Sequence, residues 1–280
     1  MQVIQVIING ILLGGIYALL GVGMTMMFGI VKLTNLAHGE FVIIGSYAST
    51  LIARALGIDP ILTLIVTIPL MFILGMILQS GLINRVMKIG AEPALLVTFG
   101  LSIILADAML LLFSADAQRA NVSYNTASLN IGSISISVLD LIVFAISIVT
   151  IIILSFFLKK TYMGRSIRAT SDDTQAASLM GVNVNRTYAI AMGIAMATAA
   201  IAGMCVGMKW VFYPSSGGTY LLTAFGVVVI GGMGSIPGTL VAGLILGLAQ
   251  VIGGANYGQL IAYVLMVVFL AVRPQGLFSK

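Results

Sequence analysis

The sequence has 280 residues, of which 60 % are hydrophobic, a further 32 are glycine and only 8 % are charged. Soluble globular domains contain about 45–50 % apolar residues with glycine included and about 25 % charged residues, so this composition excludes a water-soluble fold. The formal net charge of +5 comes from basic residues spread over several loops rather than along one helix face. This distribution excludes a nucleic-acid-binding surface, and we expect no nucleic acid among the partners.

Uncharged apolar runs long enough to cross a lipid bilayer recur along the whole chain. A helix needs about 20 residues to cross a hydrocarbon core of about 30 Å. We therefore predict an all-α, polytopic integral membrane helical bundle of about eight spans, with a single transmembrane domain over residues 1–280. Spans are predicted near residues 3–31, 40–56, 60–84, 94–113, 138–158, 187–209 and 257–272, together with a glycine-broken segment near 222–254.

The basic residues predict how the bundle is oriented in the membrane. Loops on the cytoplasmic side carry an excess of lysine and arginine. An alternating path of spans places ten basic residues inside, from Lys32 to Lys280, and leaves Arg54, Arg119 and Lys209 outside. We therefore expect the N-terminus and the loop 114–137 to lie outside, and the loops 85–93 and 159–186 to lie in the cytoplasm.

A polar interruption separates the first two apolar runs. Asn35, His38 and Glu40 lie there, with Gly39 between the last two. His38 and Glu40 are two residues apart and do not share a helix face, and the chain has only one histidine, so we expect no catalytic or metal site. The four residues are candidates either for a turn that satisfies broken backbone at a helix junction or for a gate on a translocation path.

The external loop 114–137 is rich in serine and asparagine. Isoleucine alternates with serine near its end, at Ile134 and Ile136, and such alternation is typical of a short strand. Two interpretations are open, a small hairpin on the outer face and an ordinary loop.

The long cytoplasmic loop 159–186 contains the start and stop signals of a short helix. Asp172 is followed three residues later by Gln175, as in a capping box, and Asp173 complements the positive end of the helix. Gly181 is a favourable residue for the position after the helix end. The resulting helix of about nine residues has an apolar strip formed by Ala176, Leu179 and Met180. This strip either docks on a partner or lies on the membrane surface of the protein itself.

An apolar stretch breaks at Gly231, Gly232 and Gly234 and resumes after Pro237. Each half is too short to cross the membrane alone. Open backbone at membrane depth is tolerated only where protein or a water-filled cavity covers it. The preferred interpretation is a re-entrant pair or broken helix beside a translocation path, which makes these glycines candidates for the path or gate. The alternative is a simple turn between two tilted helices.

The sequence lacks the usual elements of a self-powered transporter. A proton- or sodium-coupled carrier needs ionisable groups near the middle of its spans, and only Asp107 falls well within a span, nearer its outer end. The chain contains no Gly-Lys dipeptide, so the phosphate-binding GxxxxGK[ST] loop is absent. If ATP drives this protein, a separate subunit binds it, and the loop 159–186 is the place for that subunit to dock.

Four segments in order resemble the LivH-type permeases of branched-chain amino-acid ABC transporters. They are Asn35–Phe41, the coupling-loop signature Gly164–Asn183, Gly226–Gly238 and Val272–Phe278. The resemblance covers essentially the whole chain and implies a single transmembrane permease domain. The residues that it makes candidates for coupling to an ATPase are Gly164, Arg165, Arg168, Asp172, Asp173, Ala176, Ala177, Leu179, Met180 and Gly181.

The resemblance also implies partners and a location in the bacterial inner membrane. It implies a second, LivM-like permease, two cytoplasmic subunits that bind ATP and Mg, and an extracytoplasmic substrate-binding protein, with no cofactor and no ATPase site in this chain. Leucine, isoleucine and valine are the expected substrates, with another amino acid, urea or a short amide as alternatives. A stand-alone channel or ion-coupled secondary carrier is the rival class, a membrane-embedded enzyme comes third, and pairing as a homodimer or a heterodimer stays open.

Overall fold

The structure, a computed structural model, describes residues 2–131, 134–273 and 275–278. Helices form along the uncharged apolar runs because backbone groups in lipid find hydrogen-bond partners only within a helix. The helices are α1 (Gln2–Val31), α2 (His38–Leu56), α3 (Leu64–Leu78), α4 (Asn84–Met87), α5 (Ala91–Phe113), α6 (Val138–Lys160), α7 (Tyr162–Asp172), α8 (Thr174–Leu179), α9 (Val184–Lys209), α10 (Gly217–Gly231), α11 (Ile236–Ile252) and α12 (Gly254–Val272).

Seven stretches of the described residues are long and apolar enough to cross a membrane. The predicted helical membrane bundle is therefore confirmed. The stretches are Val3–Val31, Pro60–Met87, Ala91–Phe113, Val138–Lys160, Val184–Lys209, Pro214–Gly231 and Gly254–Val272. The less apolar α2 and the 17-residue α11 complete the bundle.

Most span boundaries agree with the sequence prediction, and the differences have a physical reason. The fifth and ninth helices begin at Ala91 and Val184, whereas the predicted spans begin at 94 and 187. The prediction excluded charged residues, but Glu92 and Arg186 lie in the first turns of these helices, where polar groups reach the membrane surface. Position 274 of the C-terminal motif and the basic residue at 280 lie outside the described residues, as do positions 132 and 133 of the external loop.

Helix α1 runs through the centre of the bundle and packs most extensively against α11. Glycines make this approach possible. A Cβ atom at Gly14 would lie 2.6 Å from the Cα of Leu244, and one at Gly247 would lie 2.5 Å from the carbonyl oxygen of Gly10. Because helix backbones in a membrane approach closely only where side chains are small, these glycines fix the position of α11 on α1.

One end of the bundle, called here the hairpin end, carries a two-stranded sheet. Strands β1 (Ser128–Ile131) and β2 (Ile134–Ser137) are antiparallel, with Leu129 opposite Ile136. The hairpin that the sequence offered as one of two interpretations is therefore present. It is tied to α1 because Gln5 Nε2 donates a hydrogen bond to the carbonyl oxygen of Ser135 at 2.7 Å. An ion pair between Lys209 and Asp140 lies at the same end.

The rest of the loop 114–137 also packs against the hairpin end. The hydroxyl of Tyr124 donates a hydrogen bond to Asp59 Oδ1 at 3.2 Å. Burial and the neighbouring carboxylate raise the pKa of the Tyr124 hydroxyl above its usual range. The opposite end of the bundle, called here the loop end, carries α7 and α8 and the charged residues around α4.

Candidate translocation site and coupling segment

The connection between α1 and α2 runs back into the bundle instead of staying at the loop end. His38, the first residue of α2, places its Nε2 atom 3.1 Å from the carbonyl oxygen of Leu20. Leu20 lies 11 residues before the end of α1 at Val31, which corresponds to about 16 Å at 1.5 Å per residue. Helix α2 therefore begins near the middle of the bundle.

Segment 32–37 is held in this position by polar contacts. Thr98 Oγ1 in α5 accepts a hydrogen bond from the N–H of Leu36 at 3.3 Å. Asn35 is 1 % exposed, and its Oδ1 atom accepts a hydrogen bond from the N–H of Ala37 at 3.0 Å. These contacts give the non-helical backbone partners at membrane depth, as open backbone in a membrane requires.

Glu40 is a buried carboxylate at the same depth. It is 6 % exposed, and Ser102 Oγ donates a hydrogen bond to its Oε1 atom at 3.4 Å. Ser102 is the central residue of α5, with 11 residues on either side. Among the described residues, neither Glu40 Oε2 nor His38 Nδ1 has a hydrogen-bond partner. Two unpaired polar atoms at mid-depth cost free energy, so their presence indicates a functional role.

Helix α10 also begins at this depth, facing Glu40. Its first residue is Gly217, and a Cβ atom there would overlap the carboxyl group of Glu40. A Cβ atom at Gly39 would in turn overlap the carbonyl oxygen of Gly217. The first N–H groups of a helix are free and carry partial positive charge. Glu40 therefore lies between the starts of two helices, α2 and α10, in the middle of the bundle.

The glycine-rich break lies at the loop end of the bundle and not at mid-depth. Helix α10 ends at Gly231, and Gly232 and Gly234 have positive φ angles of 96° and 83°. A Cβ atom at Gly29, two residues before the end of α1, would lie 2.5 Å from the Cα of Gly234. The break is thus a tight turn at the loop end joining two helices of 15 and 17 residues. Because α10 itself begins near mid-depth, the interpretations of a broken segment and of a simple turn both stay open, and a role of the three glycines in gating stays a prediction.

The loop 159–186 contains two short helices, whereas the sequence predicted one. Asp172 ends α7, and the Oδ1 atom of Asp173 accepts hydrogen bonds from the N–H groups of Gln175 at 2.8 Å and Ala176 at 3.0 Å. The predicted cap at Asp172 is therefore wrong by one residue. The helix it begins, α8, has six residues instead of about nine, because Asp173 has an extended backbone that separates it from α7.

The end of α8 has the predicted glycine. Gly181 has a φ angle of 84°, and its N–H donates to the carbonyl oxygen of Ser178 at 3.0 Å. The N–H of Val182 donates to the carbonyl oxygen of Ala177, also at 3.0 Å. This pair of hydrogen bonds is the Schellman motif, which favours glycine because a Cβ opposes the left-handed conformation.

The apolar strip of α8 points away from the bundle. Leu179 is 88 % exposed and Met180 is 85 % exposed, and Ala176 is exposed beside them. Ala177, on the opposite side, is buried against the chain. Exposed apolar side chains this large, grouped on a capped and fixed helix, indicate an interaction surface.

Helix α7 holds α8 against the bundle. Gly164 packs so closely on the end of α6 that a Cβ atom would overlap Phe157 and Leu158. The hydroxyl of Ser171 donates a hydrogen bond to the carbonyl oxygen of Gly29 at the end of α1. Arg165 and Arg168 are exposed on the outer side of α7. The structure thus places the predicted coupling residues on one segment that contacts α1, and the predicted path residues in two separate places.

A sequence model of the family described as "Branched-chain amino acid transport system / permease component" matches residues 6–270 of the chain. The chain belongs to this family. It is 32 % identical over 294 residues to the high-affinity branched-chain amino acid transport system permease protein LivH of Salmonella typhimurium, covering 99 % of this chain and 96 % of the relative. It is 30 % identical over 306 residues to the permease protein BraD of Pseudomonas aeruginosa, with the same coverage of 99 % and 96 %.

A solved structure has a similar fold. The permease covers 91 % of a chain of PsaBC from Streptococcus pneumoniae in complex with Fab, with a TM-score of 0.50 over 97 % of its own length and 15 % sequence identity. Similarity at this level of identity concerns the fold alone. The permease is accordingly a multi-pass membrane subunit of a transporter.

Sequence reasoning missed one cavity of the permease. A cavity of about 300 Å³ lies between α1, α10, α11 and α12. Tyr17 lines it near the middle of α1 and donates a hydrogen bond to Gln250, while Trp210 lines it at the hairpin end. Thr219 and Thr223, one helical turn apart, add hydroxyl groups. The i, i+4 spacing of these threonines indicates that they share a helix face, but nothing in the sequence placed them opposite Tyr17.

Proposed function

We propose that this chain is the transmembrane permease subunit of an ATP-driven ABC importer that carries leucine, isoleucine and valine across the bacterial inner membrane. The observation that carries the proposal is the nearly full-length similarity to LivH and BraD, both described as high-affinity branched-chain amino acid transport system permease proteins. Such a subunit has no ATPase site of its own and depends on partner subunits for hydrolysis.

The exposed strip on α8 supports docking of cytoplasmic ATP-binding subunits. Leu179 and Met180 present most of their surface outside the chain, and burying a leucine or methionine side chain is worth about 1.5–3 kcal/mol. Two such subunits would hold ATP and Mg. Because the strip is fixed by caps at both ends of α8, it is suited to transmit movement rather than to fold on contact.

A continuous set of contacts leads from α8 to the centre of the bundle. Helix α7 is hydrogen-bonded to Gly29 of α1, and Gly29 packs on Gly234 in the turn after α10. Helix α10 then extends about 22 Å to Gly217, which faces Glu40. Movement of α7 and α8 by the ATPases would displace α10 and change the packing around Glu40. In this role Asn35, His38, Gly39 and Glu40 form the gate.

The cavity beside Tyr17 supports a route for the substrate from the outer face. It reaches from Trp210 at the hairpin end to mid-depth, and its hydroxyl and amide groups suit a polar amino-acid backbone. An extracytoplasmic binding protein would deliver the substrate at the hairpin end. A second, LivM-like permease would complete the path beside this chain.

The proposal is tested by reconstituting the purified importer in liposomes and measuring ATP hydrolysis and uptake with a panel of ligand-loaded binding proteins. We expect stimulation by leucine, isoleucine and valine, and none by urea or a short amide. Stimulation of ATP hydrolysis and uptake by urea alone would assign a different substrate to the same importer. Full uptake in liposomes that contain this chain without ATP-binding subunits would overturn the ABC-importer proposal in favour of a secondary carrier.

A further inference from the structure

An apolar groove runs along the membrane-facing side of α3, α6 and α9. Its volume is about 650 Å³, and its lining is almost entirely hydrocarbon. The three helices form its walls, with Phe72 on α3, Ile153 on α6 and Ile194 on α9 among the lining residues. The surfaces beside the groove are also apolar and exposed, with Ile65 and Ile152 as examples. The groove therefore faces the hydrocarbon region of the bilayer.

A second cavity, of about 430 Å³, lies at the loop end between α4 and the start of α9. Arg85, Lys88 and Arg186 line it together with the polar side chains of Ser80 and Asn84, and no carboxylate lines it. Over residues 2–131, 134–273 and 275–278, no carboxylate lies within 4 Å of the charged groups of these three basic residues. The cavity is thus a concentration of positive charge without an internal counterion.

The two cavities are adjacent. Met76 and Arg186 line both of them. Along α9 the combined site extends from Arg186 to Ile201, 15 residues or about 22 Å. One leaflet is about 20–22 Å thick when its headgroup region is included. The site therefore has the length of a lipid leaflet, an apolar body and a cationic end at the membrane surface.

The position of Arg186 also favours binding of an anion in this cavity. It lies in the first turn of α9, where the N–H groups already carry partial positive charge. A cation at this position is unfavourable unless a negative group is bound nearby. Helix N-termini and basic side chains together favour phosphate, and basic pockets between membrane helices on the cytoplasmic side suit anionic headgroups.

We propose that this composite site binds one anionic glycerophospholipid of the cytoplasmic leaflet. An acyl chain occupies the groove between α3, α6 and α9, and the phosphate is held by Arg186 with Arg85 and Lys88. A second copy of this chain is a poorer occupant of the cationic end, because its net charge is also positive. The site is independent of the transported substrate, so it stands or falls separately from the proposed function.

The test is native mass spectrometry of the purified full-length chain titrated with dioleoyl phosphatidylglycerol or dioleoyl phosphatidylcholine. We expect one tightly bound phosphatidylglycerol per chain. The double substitution Arg85→Gln/Lys88→Gln and the single substitution Arg186→Gln should weaken it by about fivefold for each charge removed. The matched control is Lys32→Gln/Arg273→Gln, which removes two exposed charges from the same end of the bundle but away from the cavity. It should bind phosphatidylglycerol as the wild type does.

The acyl-chain contact is tested with Ala197→Phe, which fills the groove without a change of charge. We expect weaker binding of dioleoyl phosphatidylglycerol and unchanged, weak binding of its dihexanoyl analogue. Equal loss of lipid in the Lys32→Gln/Arg273→Gln control would mean diffuse surface attraction and would overturn the proposal. So would equal binding of phosphatidylcholine, or a dimer of the chain that disappears in Ala197→Phe and thereby identifies a second copy as the occupant of the groove.

Discussion

Replacing Leu179 with aspartate should disconnect the permease from its ATPases while leaving its own fold intact. Leu179 is 88 % exposed, so the substitution removes little burial within the chain, and the aspartate at the helix end should lower its stability by no more than about 1 kcal/mol. A leucine buried on docking contributes about 1.5–3 kcal/mol, which corresponds to about 10- to 150-fold in the dissociation constant. Burying the new carboxylate opposes docking further. The expected result is loss of ATPase binding and of uptake at normal membrane abundance.

Ser178→Asp is the matched control for this substitution. Ser178 is exposed, lies in the same last turn of α8, and faces away from the strip formed by Ala176, Leu179 and Met180. An aspartate at either position meets the same unfavourable helix end, which costs about 0.3–1 kcal/mol. Any difference between the two variants therefore reports docking.

The measurements are co-purification of the ATP-binding subunits and ATP-dependent uptake in reconstituted liposomes. Each is normalised to the amount of permease in the membrane. Wild-type binding and uptake in both Leu179→Asp and Met180→Asp would refute the docking role of α8. Equal defects in Ser178→Asp would show that the effect comes from the helix and not from the apolar strip.

The remaining predictions concern the gate and the orientation. Glu40→Gln removes the carboxyl group that faces the start of α10; in its ionised form this group interacts with the helix by up to about 2 kcal/mol when partly buried. Because 1.4 kcal/mol changes a two-state ratio tenfold, uptake by Glu40→Gln should fall about tenfold at equal abundance. Asp107→Asn is the control, and it should have no effect on uptake because Asp107 is exposed. Wild-type uptake in Glu40→Gln would contradict the gate. Cysteines at Ser128 and Ser178, on a Cys205→Ala background, should react with impermeant reagent from opposite sides of the membrane, and labelling from one side would contradict the predicted topology.

Features that depend on neighbouring residues were predictable from the sequence. The spans follow from the length of uncharged runs, and the alternation at Ile134 and Ile136 made the hairpin one of two interpretations. The short cytoplasmic helix follows from aspartate and glycine at its ends. The cap of this helix was predicted one residue too early because Asp172 and Asp173 are both good capping residues. Only the end of α7 at Asp172 decides between them.

Features that depend on depth were not predictable in the same way. The sequence indicated breaks near Glu40 and Gly232, but nothing in it indicated that the first lies at mid-depth and the second at the loop end. Depth is set by partners, here Leu20 for α2 and Gly29 for the glycine turn. Proline, serine and glycine at 214–218 mark an interruption before α10, but nothing in the sequence indicated that the helix starts at mid-depth, facing Glu40.

The structure identifies suitable controls for valine substitutions in the glycine turn. Valine at Gly243 or Gly247 would seem a neutral comparison in a helix. Yet a Cβ atom at Gly243 would lie 2.5 Å from the backbone nitrogen of Ala18, so such variants test folding. Gly81 and Gly100, which have nothing within 4 Å of an added Cβ atom, are suitable controls for substitutions at Gly232.

The central position of α1 has a consequence for how the protein is made. Helix α1 leaves the ribosome before α11, against which it packs most extensively and which follows more than 200 residues later. Until then the glycine-lined face of α1 around Gly14 has no complementary surface. The nascent chain therefore stays without its central contact through most of synthesis, and chains truncated before Ile236 should be substrates for membrane quality control rather than stable smaller bundles.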